Sequence, residues 1–286
     1  MATGILGVIG GSGLYEMEAL KNVRRVTVST PFGSPSDALV VGELEGKPLA
    51  FLPRHGRGHR IGPSDINFRA NIYAMKKIGA VAVLSISAVG SMKEKIRPGD
   101  IVVVDQFFDH TKQRKSTFFT DGVVGHISLA DPVCPVFSGI VHDAAREVVK
   151  RVHRGGVYLC MEGPAFSTRA ESDIYRKWGV DVIGMTNMPE AKLAREAELC
   201  YAVMALATDY DCWRRSEEDV AIEAVLEILR RNVENSQKIV QKLARRFPFS
   251  GGCGCGEALK NAIITDRKKI PAAARKRLSV LMGKYL

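Results

Sequence analysis

The amino-acid sequence predicts an α/β protein in which a central, mostly parallel mixed β-sheet is flanked by helices. Short runs rich in Val, Ile and Leu alternate along the chain with longer segments of helical periodicity. Most of these runs lack the apolar–polar alternation of half-exposed strands, so we expect strands that are covered on both faces. The 286 residues contain no internal repeat or low-complexity linker. They predict a single domain over residues 1–286, with a basic helical extension over 247–286.

The predicted elements follow one another at short intervals. Eight apolar runs predict strands over residues 5–9, 38–44, 48–52, 81–86, 101–104, 157–161, 180–183 and 202–207. Helical patterns lie between them, over residues 67–78, 136–152, 169–178 and 189–199. Pro189 begins the last of these, since a proline in the first turn has no hydrogen bond to lose. A long helical pattern over 217–246 ends at Pro248 and a glycine-rich stretch, and two shorter helices follow.

The charge and hydropathy of the chain limit the partners and the cellular location that we expect for it. The formal net charge is +10 at pH 7, and seven basic residues lie after Asp266 without any acid among them. These clusters could contact nucleic acid, but they lack interleaved aromatic residues and a recognisable reading helix. A solvated helical face, or a basic patch that attracts anionic substrates, is the better interpretation. No apolar run is long enough to span a membrane and the N-terminus has no basic leader, so we expect a cytoplasmic protein.

The six cysteines are dispersed except for Cys253 and Cys255. Zinc sites usually combine two closely spaced pairs of ligands, and this C-x-C has no second pair and no nearby His in the sequence. We therefore predict no metal site. The two sulfurs are expected either to form a strained disulfide or to remain free thiols, and a disulfide in the cytosol would indicate a thermophilic host.

Two carboxylates, Asp209 and Asp211, follow the strand predicted over 202–207. Acids at a strand end must be solvated, paired or protonated, and two that are buried together push one pKa upward. A carboxylic acid that stays neutral near pH 7 can donate a hydrogen bond or a proton. Such a pair could bind a nitrogen heterocycle that offers one donor and one acceptor. An ordinary Asx turn that caps the next helix is the alternative.

Five further polar or glycine-rich motifs also follow predicted strands. Gly10-Gly-Ser-Gly13 could direct backbone N–H groups at an anion, although a plain tight turn has the same composition. The run from Arg54 to Arg60 holds five cationic or titratable side chains among glycines, which suits a phosphate or a carboxylate. The other three motifs cover residues 85–91, 161–169 and 184–190. Because ligands of open α/β sheets bind at the carboxyl ends of strands, we expect these motifs to share one site.

Several motifs occur together, and in the same order, in a known family. They include Gly-Gly-Ser-Gly-Leu from residue 10, Thr-Pro-Phe-Gly-Ser-Pro-Ser-Asp from residue 30, Arg-His-Gly-Arg-Gly-His from residue 54, Glu-Gly-Pro-Ala-Phe-Ser-Thr-Arg from residue 162 and Ala-Thr-Asp-Tyr-Asp-Cys-Trp from residue 207. With these motifs the chain resembles the 5'-methylthioadenosine phosphorylase branch of the trimeric purine nucleoside phosphorylases. The resemblance implies the fold of that family, a homotrimer or dimer of trimers, and phosphate as a co-substrate without any metal or organic cofactor. The C-x-C is similar to that of thermophilic members with a disulfide of this spacing.

Carried onto this sequence, the resemblance implies roles for single residues. Phosphate would bind at Ser12, Arg54, His55, Ser87, Ala88 and Thr186. The nucleoside would bind at Phe166 (against the purine), Ser167, Met185 (against the ribose), Asp209, Tyr210 and Asp211, with Asp209 as the catalytic acid at N7 of adenine. His126 would approach the 5' end of the sugar from a neighbouring subunit, and Ile222 and Val225 would line the methylthio pocket. We expect Arg54→Ala to raise the phosphate requirement and to leave the fold intact.

The reaction that the resemblance implies is the cleavage of S-methyl-5'-thioadenosine by phosphate to adenine and 5-methylthioribose 1-phosphate, in purine and methionine salvage. A phosphorylase of 6-oxopurine nucleosides or of methylthioinosine is an alternative, although such enzymes favour Asn where this chain has Asp209. A nucleotide- or nucleic-acid-binding protein that uses the basic tail is the alternative from another class. Phosphate-dependent release of adenine would distinguish the enzyme from the binding protein.

Overall fold

The computed structural model describes residues 4–214, 222–249 and 252–286, except for the side chains of residues 12 and 222–226. In this part of the chain eleven strands form one mixed sheet. They are Ile5–Gly10 (β1), Lys21–Val26 (β2), Leu39–Leu44 (β3), Lys47–Pro53 (β4), Ala80–Ser91 (β5), Ile101–Val104 (β6), Gln106–His110 (β7), Val152–Arg154 (β8), Val157–Met161 (β9), Val182–Gly184 (β10) and Cys200–Asp209 (β11).

Helices connect many of these strands. The described α-helices are Phe68–Lys77 (α1), Pro135–Arg146 (α2), Arg169–Lys177 (α3), Glu190–Glu196 (α4), Ile222–Arg246 (α5) and Ala272–Met282 (α6). Local chemistry fixes their starts. The Asn67 side chain accepts from the backbone N–H of Ala70 at α1, and Thr168 and Glu171 cap α3 reciprocally. None of the described helices is long and apolar enough to cross a membrane.

The fold class predicted from the sequence is confirmed, and all eight predicted strands are present, two with the predicted bounds (101–104 and 157–161) and six with shifted ends. The strands β2, β7 and β8 were not predicted. The sequence of β2, Lys-Asn-Val-Arg-Arg-Val, has almost no buried residue, because it lies at the sheet edge, and β8 has only three residues. The helix predicted over 136–152 ends at Arg146. In place of two helices after residue 256, α6 is the one α-helix described there, since the stretch before Pro271 forms short 3₁₀ turns.

The strand β5 is the branch point of the sheet. One path through the sheet has the order β2-β3-β4-β1-β5-β10-β9-β7, and β11 pairs with both β5 and β6. The first part of β5 is parallel to β1 on one side and to β11 on the other. Its last residues, Gly90 and Ser91, pair antiparallel with β10. The strands that surround β5 therefore bring their carboxyl ends towards its second half.

Helices pack on both faces of the sheet. Ile72 of α1, Leu193 of α4 and Leu278 of α6 are buried in one core, and α1 contacts both of the other helices. Phe137 of α2 and Ile239 of α5 are buried in the core on the other face. The helix α6 belongs to the basic stretch 247–286, so the apolar side of this stretch is part of the same core. Burial of this kind is the main stabilising contribution to such a layered fold.

The sequence left two alternatives for Cys253 and Cys255, a disulfide or free thiols, and the structure has the free thiols. All six carry free thiols, so the disulfide considered for Cys253 and Cys255 is not formed. The backbone at Cys253 is extended, with φ −124° and ψ 152°, before it enters the 3₁₀ turn Gly254–Glu257. The Sγ atom of Cys253 lies 3.4 Å from that of Cys200. The C-x-C therefore faces a cysteine from another part of the chain.

Candidate active site

A cleft of about 480 Å³ lies where the segments after β1, β4, β9, β10 and β11 meet the second half of β5. Its walls contain nine of the predicted site residues, namely Arg54, His55, Ser87, Ala88, Phe166, Met185, Thr186, Asp209 and Asp211. These residues are far apart in sequence. The sheet topology brings them together, as expected for a ligand site at the carboxyl ends of strands.

Of the other predicted site residues, Ser12, Ile222 and Val225 have side chains outside the described part of the chain. The remaining three, Tyr210, Ser167 and His126, do not line this cleft. Tyr210 is buried, and the guanidinium of Arg214 lies 4.3 Å from the centre of its ring. Ser167 follows Phe166 without entering the wall. His126 is exposed on a loop, and its own backbone N–H donates to the Ala262 carbonyl at 2.8 Å.

Arg54, directly after β4, is 2% exposed and held by the protein itself. Its Nε lies 3.1 Å from Glu190 Oε2, and its Nη2 donates to Ser85 Oγ at 2.5 Å and to the Ile9 carbonyl at 3.2 Å. Its Nη1 donates to the Ile86 carbonyl at 3.0 Å. Among the described residues Nη1 has this one acceptor, so one of its two N–H groups remains for a ligand. Arg54 is therefore both a buried ion-pair partner and a candidate anion donor.

Behind Arg54 lies a polar network that the sequence did not reveal. The Tyr201 hydroxyl donates to Glu190 Oε1 at 2.9 Å, and Asn187 Nδ2 contacts Ser85 Oγ at 2.8 Å. Glu190 is fully buried at the start of α4. In the sequence it was only the last residue of the motif over 184–190, and no local signal indicated Arg54 as its partner. We now revise the expectation that Arg54→Ala leaves the fold intact, because Glu190 would lose its counter-charge.

His55 is held in one tautomer. Its Nδ1 lies 2.9 Å from the Ile61 carbonyl, and since a carbonyl only accepts, Nδ1 carries the hydrogen. Burial lowers the pKa of His55 to about 4, and the nearby charge of Arg54 adds to this effect. The neutral ring therefore presents Nε2 as an acceptor. The His59 ring stacks on it with 4.2 Å between ring centres.

Hydroxyl groups form the floor of the cleft next to His55. Ser87 Oγ and Thr186 Oγ1 are 3.0 Å apart, and Tyr158 Oη lies 3.4 Å from Ser87 Oγ. Tyr158 is fully buried, which raises the pKa of its phenol, so it remains a neutral donor. A Cβ at Gly184 would lie 2.0 Å from Tyr158 Oη. The glycine is therefore required for this close approach, and Tyr158 is a second residue that sequence reasoning missed.

The two carboxylates stand at the other end of the cleft. Asp209 Oδ2 accepts from the Thr208 hydroxyl at 2.7 Å, and Asp209 Oδ1 accepts from the Asp211 N–H at 2.8 Å. The second contact is an Asx turn, as in the local alternative drawn from the sequence, but it does not cap the next 3₁₀ turn, Asp211–Trp213, which has no side-chain cap. Asp211 Oδ2 accepts from the Ser172 hydroxyl of α3 at 2.5 Å. Burial raises the pKa of Asp211, and the charge of Asp209 adds to the increase.

Apolar side chains also line the cleft. Phe166 is 83% exposed, which is unusual for a phenylalanine and leaves its ring free to stack on a planar ligand. Met185 and Ile183 lie in the wall around β10, and Leu229 of α5 closes the opposite side. An anion could therefore bind at the hydroxyl end, with a flat heterocycle between Phe166 and the carboxylates.

Comparison with known proteins identifies the family. The sequence pattern of the phosphorylase superfamily matches residues 5–245, so the chain belongs to that superfamily. The S-methyl-5'-thioadenosine phosphorylase of Geobacter sulfurreducens is 57% identical over 283 residues, which are 99% of each chain. The protein of the same name from Thermosynechococcus vestitus is 53% identical over 291 residues, covering 99% of this chain and 100% of its own.

Solved structures agree with these relatives. A methylthioadenosine phosphorylase sourced from an antarctic soil metagenomic library superposes with a TM-score of 0.94 at 46% identity, over 98% of this chain and 99% of its own. A methylthioadenosine phosphorylase from Schistosoma mansoni in complex with adenine gives 0.83 at 38% identity, over 90% and 96%. The family resemblance seen in the sequence is confirmed.

Proposed function

We propose that this chain is a pentosyltransferase that cleaves S-methyl-5'-thioadenosine with phosphate, giving adenine and 5-methylthioribose 1-phosphate in purine and methionine salvage. One observation carries the proposal: a single cleft is lined by anion donors, by two carboxylates and by the exposed ring of Phe166. Relatives that share about half of the sequence over its full length bear the name of this activity. Cleavage of a purine nucleoside by phosphate needs these three elements.

Inorganic phosphate is the proposed co-substrate, and the chemistry requires no metal and no organic cofactor. Its oxygens would accept from the remaining N–H of Arg54 and from the Ser87 and Thr186 hydroxyls, and the segments at Ser12 and Ala88 would complete the cradle. Because Nε2 of neutral His55 is an acceptor, it would accept a hydrogen bond from the P–OH group of hydrogen phosphate. Phosphate would thus be bound by donors and by one acceptor.

The bond changes follow from this placement. A phosphate oxygen attacks C1' of the ribose while the C1'–N9 bond breaks and its electron pair moves to the purine. The ribose becomes cationic in the transition state, and the anionic phosphate beneath it stabilises that charge. Asp209 in its acid form gives its proton to N7, so adenine departs neutral. Such general acid catalysis contributes about 10²–10⁴-fold to the rate.

The carboxylates would also select the base. Asp209, at the end of β11, would face N7 of the purine. Asp211, held by Ser172, would accept from the 6-amino group. A 6-oxo group presents an acceptor there instead, and an amide side chain would suit it better than a carboxylate. We therefore favour adenine nucleosides over methylthioinosine and other 6-oxopurine nucleosides.

The remaining predicted residues place demands on the assembly. His126 lies on an exposed loop and does not line the cleft of its own chain. In the role that the resemblance implies, it would approach the sugar in a neighbouring subunit of a homotrimer or a dimer of trimers, and we expect this assembly in the cytoplasm. Leu229 of α5 lines the cleft. As the resemblance implies, Ile222 and Val225 would line the methylthio pocket, and Ser167 and Tyr210 would support the base.

The alternative of nucleic-acid binding through the basic tail finds less support. Arg277 lies 3.3 Å from the Asp121 carboxylate and also donates to the Thr120 carbonyl, and Arg275 donates to the carbonyls of Ile270 and Arg267. These contacts use the guanidinium groups within the fold. A phosphate backbone would have to compete for them.

Phosphate dependence tests the proposed function. We expect purified chain to release adenine from S-methyl-5'-thioadenosine with added phosphate, to form 5-methylthioribose 1-phosphate in equal amount, and to be nearly inactive in phosphate-free buffer. Chromatography of the purine and of the sugar product measures both. Equal adenine release without phosphate, accompanied by free methylthioribose, would identify a hydrolase. No adenine release under either condition would leave the binding-protein alternative in place.

A further inference from the structure

Four cysteines that are scattered in the sequence converge at one place in the fold. The sulfurs of Cys134, Cys200, Cys253 and Cys255 all lie within 4.8 Å of one another. Cys134 precedes α2, Cys200 begins β11, and the other two belong to the C-x-C. Three separate segments of the chain therefore each direct thiols at a common centre.

The arrangement of the sulfurs fits one tetrahedral metal ion. With Zn–S bonds of about 2.3 Å, the sulfurs of a tetrahedral zinc site are about 3.8 Å apart. Cys200 Sγ and Cys253 Sγ are already at 3.4 Å, and the other separations reach at most 4.8 Å. Movements of about 1 Å or less would complete the tetrahedron. Two independent disulfides would require only two close pairs, whereas here all four sulfurs are mutually close.

The surroundings stabilise negative charge on sulfur. The backbone N–H of Phe137 donates to Cys134 Sγ at 3.4 Å at the start of α2, where the helix dipole favours a thiolate. Arg195 Nη1 lies 3.6 Å from Cys255 Sγ. Four thiolates around a divalent ion leave a net charge of −2, which such donors offset. Outer hydrogen bonds of this kind are a regular part of metal sites.

We propose that Cys134, Cys200, Cys253 and Cys255 form a structural Zn²⁺ site. On binding, four Zn–S bonds form and the thiol protons are released to the solvent, without any change in oxidation state. Thiolate ligands in a tetrahedral set are the donors that select zinc over harder cations. The sequence-based prediction of no metal site is thereby revised, since the second pair of ligands comes from distant parts of the chain.

The site is structural because the protein supplies four ligands and leaves no open position for a substrate. It ties the segment after α5 to the start of β11 and to α2. Cys253 and Cys255 also line a cleft of about 790 Å³, which gives the ion a path from solvent. This cleft shares no wall residue with the candidate active site, so metal binding and phosphorolysis can be tested separately.

Metal analysis of the wild-type chain is the first test. We expect purified full-length protein to contain one zinc ion per chain by mass spectrometric elemental analysis, and we expect a thiol-modifying reagent to release it. In metal-free, reduced protein, Co²⁺ should give the visible spectrum and thiolate charge-transfer bands of a tetrahedral four-sulfur site. Protein without bound zinc whose intact mass reveals two disulfides would overturn the proposal, as would a Co²⁺ spectrum without sulfur charge-transfer bands.

Serine variants are the second test. Cys134→Ser and Cys255→Ser should each weaken zinc binding by at least about 10²-fold, because loss of a ligand exceeds the 10–100-fold effect of an outer partner. Cys160→Ser is the matched control, since Cys160 is also buried but lies outside the cluster, and it should keep one zinc ion. If a variant does not fold, the Co²⁺ spectrum of the wild type still decides. Equal zinc affinity in wild type and in the variant without all four cysteines would refute the site.

Discussion

Replacing Arg54 with alanine should destabilise the folded chain as well as weaken its use of phosphate. The side chains of Arg54 and Glu190 are 3% and 0% exposed, and Nε and Oε2 are 3.1 Å apart. Without the arginine, the described contacts leave the buried carboxylate with the Tyr201 hydroxyl as its donor. Breaking a buried ion pair from one side costs about 3–5 kcal/mol. We expect Arg54→Ala to lose about that much free energy of unfolding.

A double-mutant cycle separates this effect from general loss of packing. Arg54→Ala, Glu190→Gln and the double variant would be unfolded in urea at one protein concentration and followed by circular dichroism. The double variant leaves no buried charge without a partner. It should therefore be more stable, by about 1–3 kcal/mol, than the sum of the two single effects predicts. Arg24→Ala on the exposed edge strand β2 is the control and should change stability by less than about 0.5 kcal/mol. Additive single effects, or a loss below about 1 kcal/mol for Arg54→Ala, would refute the reasoning.

Three further predictions concern base selection, pH and assembly. Asp209→Asn should lower kcat/KM for S-methyl-5'-thioadenosine by at least about 10²-fold, since an amide cannot transfer a proton, and should raise the relative rate with methylthioinosine, whose 6-oxo group suits an amide. An unchanged ratio of the two kcat/KM values would mean that Asp209 is only a turn residue. Burial raises the pKa of Glu196 from 4.5 to about 7, so the native chain keeps a proton that the unfolded chain loses. This proton contributes about 3 kcal/mol to the free energy of unfolding below pH 4.5, and the contribution is lost as the pH rises through 7. The urea midpoint of the wild type should therefore fall over this pH range, and that of Glu196→Gln should fall less. Equal slopes of urea midpoint against pH in the two proteins would contradict the prediction. His126→Ala should raise KM for the nucleoside, and dilution to monomers should abolish activity; a fully active monomer in light scattering would exclude a shared site.

The sequence predicted those parts of the fold and site that depend on local patterns. Apolar runs without alternation indicated the central strands, and the polar motifs after them, together with the family resemblance, indicated nine residues that line one cleft. The edge strand β2 was not predicted because its charged residues face solvent. Only its backbone pairing with β3 makes it a strand. Local patterns therefore identify what is buried more reliably than what lies at an edge.

The interactions that were missed join residues far apart in the chain. Glu190 meets Arg54 across 136 positions, and Tyr158 reaches Ser87 across 71. Nothing in the spacing of these residues indicates that they touch. The cysteines are the same case, since the C-x-C gained its partners through folding. Composition thus identified the chemistry that is available, whereas the topology of the sheet decided which groups meet.

The hydrogen bond from His55 to the Ile61 carbonyl has a consequence for the choice of anion. With Nδ1–H engaged at 2.9 Å and a pKa of about 4, the ring has a lone pair, rather than a proton, to offer at Nε2. Hydrogen phosphate brings a proton to that lone pair, whereas sulfate has none to give at neutral pH and would face it with a repulsive oxygen. The two anions have nearly the same size and shape. With phosphate bound at His55 as proposed, a single backbone carbonyl would let the cleft distinguish the reactive anion from its inert analogue.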